Sequence, residues 1–206
     1  MKKITFFIII SIICFTNIYA QEATEEKISD LVLSKEELEL FRERTEVKVD
    51  ELQDNLSVLG SKDESDETKI LYKELTLKLF MNMGESVTME TSYIKDGEER
   101  RKRIPMPTYL DRLSKLSYAK VDIRSSKSCY VSNFYKKGDD EKGQPIYTAT
   151  ATIYQEFVGY NAEGKAVYKD TTKKTIEIEV RKSQGIFGER WIILLGDVSV
   201  AETSSR

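Results

Sequence analysis

Leu38, Phe41, Thr45, Val49, Leu52, Leu56 and Leu59 recur at spacings of three and four with charged residues between them, the stripe of an amphipathic helix. Ser34 and Glu37 stand before it in capping-box spacing, and Gly60 stands where a left-handed residue ends a helix. A second helical pattern, Ile70, Leu71, Leu75, Leu79 and Phe80, follows the acidic run DESDE (63–67) and closes at Gly84. Acids at a helix start complement its dipole. The period then changes to two: Val87, Met89, Thr91 and Tyr93 share a face, and Asp96-Gly97 is a two-residue hairpin signal. The return strand carries Arg100, Arg101, Lys102 and Arg103 until Pro105 and Pro107 end it. Thr108 then caps a short third helix with Tyr109, Leu110, Leu113 and Leu116 on its apolar side.

From Tyr118 onward the pattern is strand and turn. Strands are expected over 119–124, 129–135, 147–158, 166–181 and 191–200, with a loop over 136–145 and tight connections at 161–164 and 185–188. In WIILL (191–195) both faces are apolar, as in a strand covered on both sides or curling into the core. The stretch YTATATIYQEFVGY (147–160) alternates most strictly. Ala149, Ala151, Ile153, Gln155 and Phe157 face inward as candidate pocket-lining residues; Thr148, Thr150, Thr152 and Tyr154 form a candidate interaction face. Alanines let a helix sit close or floor a pocket. An inward Gln155 amide must find hydrogen-bond partners, and if the protein supplies none, a ligand is the place to look for them.

The amino end, MKKITFFIIISIICFTNIYA, has two lysines, an apolar run too short to span a bilayer comfortably, and a small residue before Gln21. This is the layout of a secretory signal peptide cleaved after Ala20. A lipid anchor on Cys14 is the weaker alternative, because Ile13 stands where a small residue belongs. The expected organisation is a signal peptide over 1–20, a flexible lead over 21–33, an α+β domain over 34–200 and a tail over 201–206. The product is exported, periplasmic or secreted, with no membrane association once the signal is removed.

Loss of Lys2 and Lys3 leaves 30 basic against 35 acidic residues, a net charge of −5, which argues against nucleic-acid binding. The basic run 100–103 lacks interleaved aromatics and reads as an exposed hairpin arm. The chain has no histidine. That excludes Ser-His-Asp and Cys-His nucleophile pairs and histidine zinc sites, and leaves any enzyme to carboxylates, tyrosines or lysines. DESDE lacks the spacing of a calcium loop, so no metal or other cofactor is expected. After processing only Cys129 remains, so no internal disulfide forms. Without an activating base it reads as a buried small residue.

The order of two helices, a hairpin, a third helix and a run of long strands resembles the nuclear transport factor 2-like fold, a cone of helices closed by a strongly curved antiparallel sheet. The resemblance covers 34–200. A cystatin-like fold, one helix on a curled sheet, is the architectural alternative. The resemblance implies a pocket inside the cone; enzymes of the fold use an Asp or a His-Asp pair there. Here Asp122 shares its face with Lys120 and Arg124 and reads as solvent-facing, leaving Asp170 and Asp197 as candidate bases. The expected function is a noncatalytic exported binding module, holding a small ligand in the cone or a protein partner on the sheet face. The alternatives are a histidine-free, carboxylate-dependent isomerase or dehydratase-like enzyme and a structural homodimer.

Overall fold

The structure, a computed structural model, describes residues 33–95, 98–186 and 188–205. The signal-peptide and lead assignments up to residue 32, Cys14 and the Asp96-Gly97 turn lie outside them. The chain divides into two compact units, Met1–Leu38 and Glu39–Arg206. In the first, Ser34 N donates to Glu37 Oε2 at 2.9 Å and Glu37 N donates to Ser34 Oγ at 3.1 Å. This reciprocal box satisfies two donors that a helix start leaves orphaned. It opens α1 (Lys35–Gly60).

In the second unit α1 is followed by α2 (Asp66–Lys78), a 3-10 turn (Met81–Gly84), β1 (Thr88–Lys95), β2 (Glu98–Pro105) and α3 (Met106–Leu113). Six strands complete it: β3 (Lys120–Ser125), β4 (Tyr130–Val131), β5 (Tyr135–Asp139), β6 (Pro145–Tyr160), β7 (Ala166–Gly185) and β8 (Gly188–Ser205). The strand order is β2-β1-β8-β7-β6-β3, with β4 and β5 also paired to β6. It is an α+β arrangement, three helices with a strongly curved sheet. The curvature has local causes. Register shifts interrupt β7–β8 at Lys173/Lys174 and at Ile176/Ile178, and β6–β7 at Gly159/Tyr160, and an extra residue in one strand bends it and increases its twist.

The expectation of a purely antiparallel sheet is corrected at one point: β1 meets β8 in parallel, Met89 opposite Val198. One such bridge leaves backbone donors beside it without ladder partners, and two carboxylates fill in. Asp197 Oδ1 accepts from Thr88 N at 2.7 Å, and Glu90 Oε2 accepts from Val200 N at 2.8 Å. Three further local readings change. The strand expected over 129–135 is only the pair Tyr130–Val131, and the expected loop contains a strand, Tyr135–Asp139, which pairs along β6 with a bulge before Gly138. The third helix starts at Met106 behind an extended Pro105, so Thr108 lies inside it. Finally, Ile70 and Leu71 on α2 are 62 % and 52 % exposed, while Leu79 and Phe80 beyond the helix are buried; Phe80 bridges to Leu195 and Leu79 O accepts from Leu195 N.

Helix α1 closes the free edge of β3 by a match of repeats. Gln53, Ser57 and Ser61 are four residues apart, about 6 Å along a helix, and alternate strand residues are about 6.6 Å apart. The two series therefore stay in step. Gln53 Nε2 donates to Ser125 Oγ (2.9 Å), Ser57 Oγ accepts from Ile123 N (2.8 Å) and Ser61 Oγ accepts from Val121 N (2.8 Å). An edge that could template pairing with another chain is thereby covered. Away from that edge, Phe41 packs edge-on against Phe134 and Trp191, and Trp191 against Tyr147.

Candidate functional site

Helix α3 is fixed to the sheet by Met106, Leu110 and Leu113, all buried, and by Met106 N donating to Val87 O at 2.8 Å. An open recess of about 400 Å³ remains beside it. Thr91 and Ile104 line it from the first hairpin, Tyr109, Arg112 and Leu113 from α3, Leu116 and Tyr118 from the following turn, and Phe157, Tyr168 and Asp170 from the long strands. Tyr118 can enter only because Gly159 has no side chain: a Cβ there would lie 2.7 Å from the Tyr118 ring. The ring stacks on Tyr168 at 6.2 Å between centroids and meets Phe157 edge-on at 5.9 Å. Phe157 and Tyr168 meet edge-on at 5.6 Å. One wall is thus aromatic.

Beyond Asp170 and Phe157, which line the recess, the same sheet face continues as a polar row. Asp170, Thr172 and Lys174 alternate along β7, opposite Phe157, Gln155 and Ile153 of β6, so all six share the inward face. Gln155, Thr172 and Lys174 are 7 %, 6 % and 6 % exposed. No hydrogen bond joins the side chains of Gln155 or Thr172 to another described residue. Lys174 Nζ reaches Met89 Sδ at 3.7 Å, a weak acceptor for an ammonium. Asp170 Oδ2 accepts from Tyr168 Oη at 2.7 Å. Buried polar groups ordinarily find partners within the protein or in ordered water.

Burial decides the charges. It pushes the Lys174 ammonium down to about 8, against the attraction of Asp170. It also pushes the Asp170 carboxyl up, against the Tyr168 hydrogen bond and the Lys174 charge. Contact ion pairing favours both charged forms; here both groups move the other way, so neither satisfies the other. Desolvation, reinforced by Asp170, raises the Tyr109 phenol to about 12, and desolvation and Asp170 also raise that of Tyr168. Both phenols stay neutral donors near neutral pH.

Of the residues singled out in the sequence, Phe157 lines this recess and Gln155 sits one strand pair farther along the same face. Ala149, Ala151 and Ile153 are buried on that face but line neither this recess nor a larger one. On the opposite face Thr150 is exposed, and Thr148, Thr152 and Tyr154 are half-buried. Thr148 Oγ1 donates to Ile178 O at 2.8 Å, and Lys127 and Lys173 lie over the Tyr154 ring. The larger recess, about 800 Å³, lies between α1 and β8. Its charged lining, Glu43, Arg44, Lys48, Glu51, Lys78 and Arg190, mixes both signs. None of those six is among the buried polar residues.

Of the candidate bases, Asp170 reaches the smaller recess, whereas Asp197 is engaged by Thr88 N. Asp122 lies near Arg124 at 3.6 Å, outside the recess. Cys129 is half-buried, and burial together with Glu46 and Asp50 raises its thiol to about 11, far from a reactive thiolate. In the basic hairpin arm, Arg100 pairs with Glu98, Arg101 with Glu99 and Arg103 with Glu90. Among the described residues no group of three potential metal ligands assembles, and no helix is long and apolar enough to cross a membrane.

Thr172 and Lys174 were missed in the sequence because Lys173 and Lys174 adjoin in a run of threonines and lysines, TTKK, that reads as solvent-facing. The signal that finds them is parity: two steps at a time, Lys174 leads to Ile176, Ile178 and Val180. No protein-family model, no curated protein and no solved structure matches the chain. The fold and site define an α+β protein with an aromatic-walled recess between a short helix and a curved sheet, with Asp170 in its lining.

Proposed function

We propose that the chain is an exported, noncatalytic binding module of the nuclear transport factor 2-like kind, holding a small ligand in the recess between α3 and the sheet. Two helices, a hairpin, a third helix and long curved strands support the fold reading. A recess of about 400 Å³ is within the usual range for small-ligand sites, as is its mix of aromatic wall and few polar groups. The observation that carries the proposal is the recess lining itself: the aromatic wall of Tyr118, Phe157 and Tyr168 with the Asp170 carboxylate, held by Tyr168 Oη, opening into the same space.

Native mass spectrometry of the protein purified from its own host tests this. A retained small mass is expected, and Leu113→Trp, which fills the recess, is expected to remove it. A mass that persists in that variant, or a wild-type protein that carries none, contradicts the proposal.

The second reading is a carboxylate-dependent isomerase or dehydratase-like enzyme. One observation favours it: Asp170 is held by Tyr168 in a partly desolvated recess and has a raised pKa, as a carboxylate base needs. Asp170→Asn abolishing turnover of a retained ligand while leaving its binding intact would support this reading over simple binding.

A further inference from the structure

Strand β8 has β7 along one side, with no register shift between Gly188 and Leu195. On its other side β1 meets it at Val198, and Leu79 O accepts from Leu195 N at 2.9 Å. From Gly188 to Leu194 no described residue pairs with that side. This is about 20 Å of edge, the length of an ordinary strand. Leu195 N points away from β7, and outward and inward backbone groups alternate along an antiparallel strand. Trp191 and Ile193 therefore direct their N–H and C=O groups outward as well. These groups open on the larger recess, which consecutive residues, Arg190–Leu194, line as an edge does; a sheet face contributes every second residue.

The two flanks of α1 differ. On one, Gln53, Ser57 and Ser61 bond the edge of β3; on the other, which carries Arg44 and Lys48, no hydrogen bond joins the helix to a described residue of β8. Basic side chains outnumber acidic ones around the open edge: Arg44, Lys48, Lys78 and Arg190 against Glu43 and Glu51. None of the four makes an ion pair with a described residue, whereas Arg100, Arg101 and Arg103 of the hairpin arm each face a glutamate. We propose that this edge takes an extended segment of a protein partner, added as a strand, in which acidic and apolar side chains alternate. Main-chain bonds to Trp191 and Ile193 give the affinity, and the two walls give the alternation. Trp191 packs on Phe41, so α1 lies on the Trp191 face, where acidic side chains meet Arg44 and Lys48. On the opposite face the half-buried Ile192 and Leu194 receive the apolar ones.

Hydrogen exchange read by nuclear magnetic resonance on the whole chain tests this, with two blocked peptides as probes, one alternating glutamate and valine and one alternating lysine and valine. Saturating glutamate–valine peptide is expected to slow exchange at Trp191 and Ile193 by about tenfold or more. Ile192 and Leu194, whose N–H groups face β7, are expected to keep their rates. The lysine–valine peptide is expected to bind at least about tenfold more weakly, and the double substitution Arg44→Glu/Lys48→Glu to reverse that order. A preference of the wild-type chain for the lysine peptide, binding that leaves both edge amides unprotected, or no binding of either peptide overturns the proposal. So does protection of the two amides in the dilute protein alone, which means that the chain covers its own edge. Protection that grows with protein concentration puts a second copy there instead, and overturns it equally.

Discussion

Lys174 Nζ lies 3.7 Å from Met89 Sδ on the buried face of a curved sheet, and no carboxylate of the described residues makes an ion pair with it. The side chain stabilises the ligand-free protein less than an apolar residue of similar length would. Burial lowers its folded-state pKa to about 8 from about 10.5, so between those values the unfolded chain holds a proton that the folded chain has released. Stability from this group therefore rises with pH through that window. Lys174→Met is expected to be more stable than wild type at pH 7, on the order of 3 kcal/mol, with the difference closing toward pH 10.5. Urea unfolding of both proteins at pH 7 and pH 10 checks this. A variant less stable at pH 7, or a difference independent of pH, contradicts it.

Gly159 sets the aromatic wall. In Gly159→Ala the new methyl group meets the Tyr118 ring at 2.7 Å, so the ring must leave its place against Phe157 and Tyr168. A loss of about 1–3 kcal/mol is expected, as for other overpacking, with a changed near-ultraviolet circular dichroism signal from the tyrosines. A spectrum and melting temperature equal to wild type would show that the wall does not depend on this glycine.

Ser57 and Ser61 each accept from a backbone N–H of β3 at 2.8 Å. Replacing either with alanine leaves that donor without its partner, at an expected cost of about 1–3 kcal/mol. The local signature is faster hydrogen exchange at Ile123 in Ser57→Ala and at Val121 in Ser61→Ala. Unchanged exchange at both amides would mean that the helix does not seal the strand edge.

Ala151 is fully buried and lines neither recess. Ala151→Leu is expected to cost about 1–3 kcal/mol, since no space receives the added carbons. A thermal melt close to wild type would reveal room on the sheet that the structure does not show.

The parts of the fold visible in the sequence are those in which one local rule acts alone. The Ser34–Glu37 box, the α1 stripe and the alternation through Tyr147–Gln155 each follow from short-range spacing, and the structure has all three. Where tertiary partners decide, the sequence misleads. Tyr135–Asp139 looks like a polar loop, yet it is a strand because the long β6 offers it an edge. The parallel contact of β1 with β8 depends on Asp197 and Glu90 supplying acceptors from a distance, and no periodicity announces that. The recess is legible in part. Phe157 follows from alternation, but the α3 wall needs the curled sheet, as does the burial of Lys174 farther along the same face. Of the two candidate bases, only the three-dimensional contacts separate Asp170 from Asp197.

The central claim is that the inward sheet face running from the recess through Gln155 and Thr172 serves a ligand and not the scaffold. Equilibrium urea denaturation of the ligand-free double variant Gln155→Leu/Thr172→Val tests it most directly, because the two residues face each other and make no side-chain hydrogen bond to another described residue. Replacing unpartnered buried polar groups by apolar ones of similar shape is neutral or stabilising. The double variant is therefore expected to equal or exceed wild type in stability; a loss of about 2 kcal/mol or more would show that these side chains hold the fold together and would contradict the claim.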